Sequence, residues 1–372
     1  MKHILGLYLA FLLALVLFSY GFVDVNFIYL QSFYTGIFTQ NRELSAIIYA
    51  LMVIVSFFWY WLFLRSVENK KISDKLFIKI IGITVGILLF TYPAMLSFDI
   101  FNYTTTSKVL YLYKENPYIT MPIEFSNDEF LQYTRAANKV ALYGPLWILI
   151  TGIPYIFNSI SFLSSLLVMK VIVAVCYLGI GYLIWRFTKN MYSVALFLLN
   201  PLVIIETLIS SHNDSVMMLL VLGSYFLLSK KKIFYGMVVF MASVLVKYVS
   251  IVLLPVILFL IWQQVTKKNI QWERVFLISL VLMTLVFFTA PIREEIYPWY
   301  WIWVLPFVSL LYKNNFIRQL AIIFSLSLLL RYIPVLYTGS YFGYTPHLKI
   351  LFTFIPPILY VIFYILRRRF VN

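Results

Sequence analysis

The chain has 372 residues, 63% of them hydrophobic and only 12% charged, with a mean hydropathy of +0.92. A soluble domain carries about 45–50% apolar and about 25% charged residues, so this composition cannot cover a globule with polar surface and excludes a water-soluble fold. The net charge of +15 would suggest a nucleic-acid partner in a soluble protein. In a membrane protein it follows from cytoplasmic loops that collect Lys and Arg, and no nucleic acid is expected.

The apolar runs are continuous rather than alternating, which points to helices and away from a transmembrane barrel. In chain order they cover 4–23, 45–64, 76–96, 162–186, 191–209, 213–229, 233–247, 249–263, 275–291, 299–312, 317–337 and 348–366. At about 20 residues per crossing they predict about twelve transmembrane helices. The first run follows Lys2 and His3, lacks a small-x-small cleavage site and reads as an uncleaved helix. The run 144–160 is broken by Gly144, Pro145, Gly152 and Pro154, so it reads as re-entrant or interfacial, which is tolerated where protein covers the backbone. No repeat or linker divides the chain, and 1–372 reads as one integral membrane domain. Its single cysteine, Cys176, allows no internal disulfide and no Cys-rich metal site.

Charge sets the orientation. With both termini cytoplasmic, most of the 29 cations fall inside, whereas Arg42, Lys108, Lys114, Arg135, Lys139, Arg293 and Lys349 fall outside. The exterior also receives most of the 14 carboxylates. Segment 97–143 is the one large exterior loop, and Phe98, Phe101, Tyr103, Tyr111, Tyr113 and Tyr118 suit interfacial helices within it. Any chemistry is expected in that loop.

Asp99 begins it, flanked by Phe98 and Ile100. Partial desolvation would make its carboxylate a better proton acceptor near neutral pH, though the position equally suits a helix N-cap. His212-Asn213-Asp214 follows a span holding Asn200-Pro201 and a buried Glu206, and emerges on the same side as Asp99. It reads either as a capped turn or as a polar site; one His with carboxylates at this spacing is a weak metal signal. Lys170, Lys247 and Arg331 fall within spans, and with Arg293 they gather near the outer leaflet boundary. Such cations need a partner, which a lipid phosphate would supply, or else they snorkel to the headgroups. The run Ile296-Tyr297-Pro298-Trp299-Tyr300-Trp301-Ile302-Trp303 reads as an aromatic belt or as a stacking wall for a sugar. There is no P-loop, GxGxxG, GxSxG or HExxH, which removes nucleotide-driven pumps, elbow-type hydrolases and zincins.

The order of Asp99-Ile100-Phe101-Asn102-Tyr103, Glu115-Asn116-Pro117-Tyr118, Tyr143-Gly144-Pro145-Leu146, Asn200-Pro201 leading to Glu206, His212-Asn213-Asp214, Val246-Lys247-Tyr248 and Pro298-Trp299-Tyr300 running to Leu305-Pro306 resembles the GT-C superfamily of multi-pass glycosyltransferases, in its prokaryotic mannosyltransferase-like branch. The resemblance implies an all-α GT-C-like bundle that moves a hexose, mannose by default, from a polyprenyl-phosphate-sugar donor to a glycolipid or glycan acceptor in the cell envelope. It places the catalytic aspartate at Asp99. Many relatives carry a second acid beside the first, which is absent here, and this puts donor geometry and any metal requirement in question; no cofactor and no metal site are expected. Lys247, Arg293, Arg331 and Lys170 would bind the donor phosphate, and Tyr103, Tyr143, Glu206, His212, Asn213, Asp214, Trp299 and Tyr300 the substrates. The alternative is a secondary transporter or a lipid or glycolipid flippase.

Overall fold

The computed structural model describes residues 2–289, 292 and 295–371, and every regular element among them is helical. Helix α1 (Lys2–Tyr20) packs against α3 (Asp74–Leu88), joined by a 2.8 Å hydrogen bond between Tyr8 and Thr84. Between them α2 (Arg42–Glu68) starts where the Asn41 side chain accepts from the Leu44 N–H at 3.0 Å, filling one of the amide positions that a helix start leaves open.

Among the described residues seven helices are long and apolar enough to cross a membrane, α10 (Tyr248–Val265) among them, and an eighth span results if α7 (Met191–Leu198) and Pro201–Ile209, bent by 50°, count as one. This is fewer than the twelve read from the apolar runs. Three of those runs form shorter helices: α3, α8 (Asp214–Ser229) and α9 (Ile233–Val246). The run 299–312 is not one helix but a 3₁₀ turn, Pro298–Trp303, followed by Leu305–Leu310. Pro306 lacks the N–H that a continuous helix would need and its ring crowds the preceding turn, so the chain restarts there.

The long segment after α3 also differs from expectation. Helix α4 (Asp99–Tyr111) is buried at every position from Ile100 to Val109, so it is enclosed rather than laid on a lipid surface. The rest of the segment contributes two 3₁₀ turns, Pro122–Glu124 and Leu131–Tyr133. It is tied down by Asp128, which pairs with Lys108 at 2.5 Å and accepts from the Tyr113 hydroxyl at 2.7 Å. Residues 144–160 break into α5 (Pro145–Ile150), Gly152–Ile156 and Phe157–Ser159.

The centre of the molecule is α8, which packs against α9, against α6 (Phe162–Thr188) and against Pro298–Trp303. Outward positions on peripheral helices carry exposed apolar side chains, among them Leu17, Phe234 and Phe363, as lipid-facing surfaces do. Polar residues are collected inside, at the N-terminal end of α8.

Candidate active site

The approach to α8 is unusual backbone. Asn200 caps a new helical start at Pro201, its side chain accepting from the Leu202 N–H at 3.0 Å. The chain then widens into a π-helical turn, Ile204–Ile209, closed by the His212 N–H donating to the Glu206 carbonyl at 3.0 Å. Ser211 sits at φ 59°, a left-handed conformation that costs a non-glycine residue roughly 1–3 kcal/mol and concentrates at functional sites. Isolated π turns do the same. Together they turn the side chains from Glu206 to Ser215 inward, where every one is buried.

His212 lies at the centre. Its Nδ1 is 3.4 Å from Asp99 Oδ2 and its Nε2 is 3.2 Å from Glu206 Oε2. Glu206 accepts a further hydrogen bond from the Tyr332 hydroxyl at 2.9 Å. The imidazole is stacked on Trp299, with centroids 4.1 Å apart and planes 15° apart, and Trp299 is stacked in turn on Tyr297 at 4.5 Å. Asp99 is the first residue of α4, but Phe98 is its N-cap and no side chain caps it. The aspartate instead accepts from the Asn102 side-chain amide at 3.2 Å.

Asp214 forms the second half of the cluster. Oδ1 accepts from Lys247 Nζ at 2.7 Å and from the Trp303 indole N–H. Lys247 follows the end of α9 in extended backbone, its ammonium 4.8 Å from the Tyr300 ring centre and 5.4 Å from that of Trp303. Tyr103 binds the Asn213 N–H at 3.3 Å through its hydroxyl and packs edge-on against Tyr143 and Trp147. Gly144 brings this wall close, because its N–H donates to the Val246 carbonyl at 3.1 Å, beside Lys247.

At the centre of the site Asp99 and His212, both outside the spanning helices, have displaced titrations. Burial raises Asp99, but hydrogen bonding and charge from His212, then Lys247 and Asn102, carry it below its ordinary carboxylate value. Burial lowers His212, but Asp99 and Glu206 lift it from 6.5 to about 9. The pair is an aspartate held ionised against an imidazolium, so the rise in proton affinity expected of Asp99 from desolvation is reversed by its partners. Around it, polar atoms without a hydrogen-bond partner are concentrated: Glu206 Oε2, the Ser210, Ser211 and Ser215 hydroxyls, both His212 ring nitrogens, both Asn213 side-chain atoms and Asp214 Oδ2. Buried polar atoms ordinarily find partners; here the His212 nitrogens and Glu206 Oε2 face each other and Asp99 across 3.2–3.4 Å, and the serine, Asn213 and Asp214 atoms line the enclosed side of the cluster. Among the described residues no group of three or more His, Cys, Asp or Glu is placed to hold a metal ion.

Of the residues singled out in the sequence, Asp99, Tyr103, Tyr143, Glu206, His212, Asn213, Asp214, Lys247, Trp299 and Tyr300 come together here. Two do not take the places expected of them. Lys170 directs its ammonium to the Leu88 and Thr91 carbonyls and the Thr91 hydroxyl at 2.7–3.0 Å, which uses its three donors at the end of α3. Arg331 bonds the Ile296 carbonyl, Thr353 and Glu295, so its guanidinium is engaged in fixing a loop and its charge is met by Glu295. Arg293 lies outside the described residues. Trp299 presents no open face for a sugar, being 8% exposed and stacked on His212 and Tyr297. Asn102, Trp303 and Tyr332 join the cluster unannounced. Asn102 was visible three residues after Asp99, whereas Trp303 and Tyr332 looked like ordinary belt and helix aromatics.

The described fold is that of a multi-pass helical membrane protein with an enclosed acidic–basic site at one end of its central helix. Residues 3–263 match the model of the MptA_B family, alpha-(1->6)-mannopyranosyltransferase N-terminal domain, and the chain belongs to that family. It is thus a membrane glycosyltransferase of the mannosyl-transferring kind, with a sugar donor and a glycan acceptor as substrates. No curated protein and no solved structure matches it. Trp299, Trp303 and Tyr332 lie beyond the matched range, yet complete the cluster.

Proposed function

We propose that the protein transfers mannose from a polyprenyl-phosphate-linked donor to a glycolipid or glycan acceptor at the exterior membrane face, forming the α-(1→6) linkage of its family's description, with Asp99 as the base. The observation that carries this reading is the Asp99–His212 pair. Asp99 is 22% exposed while the imidazole behind it is fully enclosed, so one carboxylate faces an incoming hydroxyl with its charge balanced from the protein side.

In the step, the acceptor hydroxyl attacks the anomeric carbon and gives its proton to Asp99. The bond from that carbon to the phosphate oxygen breaks, and the electron pair leaves with the polyprenyl phosphate, inverting the centre. Lys247, 18% exposed at its side chain, meets the charge that develops on the leaving phosphate; preorganised cations at such positions are the largest source of stabilisation in transfer reactions. Glu206 lies too deep to touch a sugar and positions His212. No step here requires a metal or other cofactor, since Lys247 already supplies the positive charge.

The test is transfer from radiolabelled polyprenyl-phosphate-mannose to a mixed glycolipid extract in proteoliposomes. Label reaching an acceptor in wild type supports the reading. Translocation of the intact donor without transfer would overturn it in favour of a flippase.

A further inference from the structure

At the other end of the molecule α6 and α8 both stop, and α11 (Trp272–Thr289) begins, around a cavity of about 270 Å³ walled by Arg186, Phe187, Lys189, Phe226, Lys230 and Trp272. Asp214 is the first residue of α8 and Ser229 the last; at 1.5 Å per residue they are about 22–24 Å apart. The cavity is therefore separate from the Asp99–His212 centre.

Its charges are unbalanced. The Arg186 guanidinium is 4.8 Å and the Lys230 ammonium 5.6 Å from the centre of the same Phe226 ring, and Lys189 lies 3.7 Å from that of Trp185. Arg186 also donates to the Tyr182 hydroxyl at 2.5 Å. Among the described residues, none of the three has a carboxylate at ion-pair distance. The C-termini of α6 and α8 each present roughly half a negative charge and the N-terminus of α11 about half a positive one, about half a negative charge in all against three cations; Glu273 in the first turn of α11 is exposed and does not line the cavity. Like charges gathered at a membrane boundary repel, and screening there is weaker than in open water. What relieves them is an anion carrying one to two charges, which describes a phosphate ester.

The remaining wall is apolar, with Phe187 5.1 Å from Trp272 and 5.4 Å from Phe276. Such a surface suits the stem of an amphiphile better than a free ion. Arg186, Lys189 and Lys230 also belong to the cations that charge asymmetry assigns to the cytoplasmic side, where basic pockets between helices take acidic headgroups. We propose that this cavity is a second ligand site, which binds the phosphate of an anionic membrane lipid at the face opposite the transfer centre.

The experiment uses the full chain in non-ionic detergent and follows its thermal unfolding midpoint during titration with dioctanoyl phosphatidylglycerol, dioctanoyl phosphatidylcholine and inorganic phosphate. Phosphatidylglycerol is expected to raise the midpoint saturably and phosphatidylcholine to do so much less. In Arg186→Gln/Lys189→Gln/Lys230→Gln the half-saturating concentration should rise about tenfold or more, as charge-assisted bonds are lost. Lys230→Glu is read alongside, since Lys230 is exposed and its replacement does not endanger folding; it should weaken the response in the same direction. An equal response from both lipids, or from wild type and both variants, overturns the site. A response to inorganic phosphate that matches phosphatidylglycerol overturns the lipid assignment.

Discussion

Asp99 Oδ2 and His212 Nδ1 face each other at 3.4 Å, brought together from the start of α4 and the turn before α8. If Asp99 accepts the acceptor proton, Asp99→Asn keeps its size and removes the base. Mannosyl transfer should fall at least about 100-fold, the lower end of what general-base catalysis contributes, and the unfolding midpoint should fall as well, because the enclosed imidazolium loses one of its carboxylate partners. Transfer at the wild-type rate would reduce Asp99 to a structural residue of the α4 entrance.

The pair also has a pH signature in stability. His212 titrates at about 9 in the fold against 6.5 as its ordinary value, because Asp99 and Glu206 outweigh its burial. A group raised in the folded state contributes its full stability below the unfolded value and loses it as pH climbs through the folded one. The midpoint should thus decline between about pH 6.5 and pH 9 from this source, and His212→Gln should flatten that interval. Circular dichroism melts of both proteins across the range decide it.

If Glu206 acts through His212 and not on substrate, Glu206→Gln should lower kcat and leave the donor KM nearly unchanged. It should also shift the alkaline fall of the rate profile to lower pH, because the imidazolium loses one of its two carboxylates. Tyr332→Phe removes only the hydroxyl that bonds Glu206 and should act in the same direction more weakly. A rise in KM with kcat intact would place Glu206 on the sugar instead.

Lys247 and Asp214 allow a double-mutant test. Removing one partner of a buried ion pair costs about 3–5 kcal/mol, because the other charge is left without compensation. Lys247→Ala should therefore lower both stability and transfer. Adding Asp214→Asn should recover much of the stability and none of the transfer, if Lys247 serves the leaving phosphate. Recovery of both would make the pair purely architectural.

Gly144 permits the close passage of the 143–145 strand of chain beside Leu245 and Val246. A Cβ there would enter the Leu245 carbonyl, which is backbone and cannot swing aside. Gly144→Ala should cost about 1–3 kcal/mol, the range for an overfilled site, and impair transfer by moving Lys247. Unchanged melting and kinetics would show that α9 yields at its end.

Much of the candidate site is legible in the sequence for one physical reason. In an apolar chain each ionisable residue is expensive, so Asp99, Glu206, His212, Asp214 and Lys247 stand out against their surroundings. The cost of a buried charge does not name its partner. Lys170 and Arg331 look like Lys247 in sequence, although the first is satisfied by backbone carbonyls and the second by Glu295 and Ile296. Hydropathy likewise marked 299–312 as a crossing, where Pro306 and packing inside the protein give two short helices. Burial within protein and burial within lipid leave the same apolar trace. Trp303 and Tyr332 were hidden for the opposite reason, since aromatic residues are common in both settings and only the fold shows which indole N–H or phenol meets a carboxylate.

The family match ends at residue 263, but the surroundings of the cluster do not. A fragment cut at that boundary would keep Asp99, Glu206, His212, Asp214 and Lys247 while losing the indole that bonds Asp214, the ring beneath the imidazole and the phenol on Glu206. Segments exchanged between relatives at that point would thus carry the charges in one piece and their aromatic supports in the other. A chimera would be expected to work only when both halves come from chains whose supports fit the same charges.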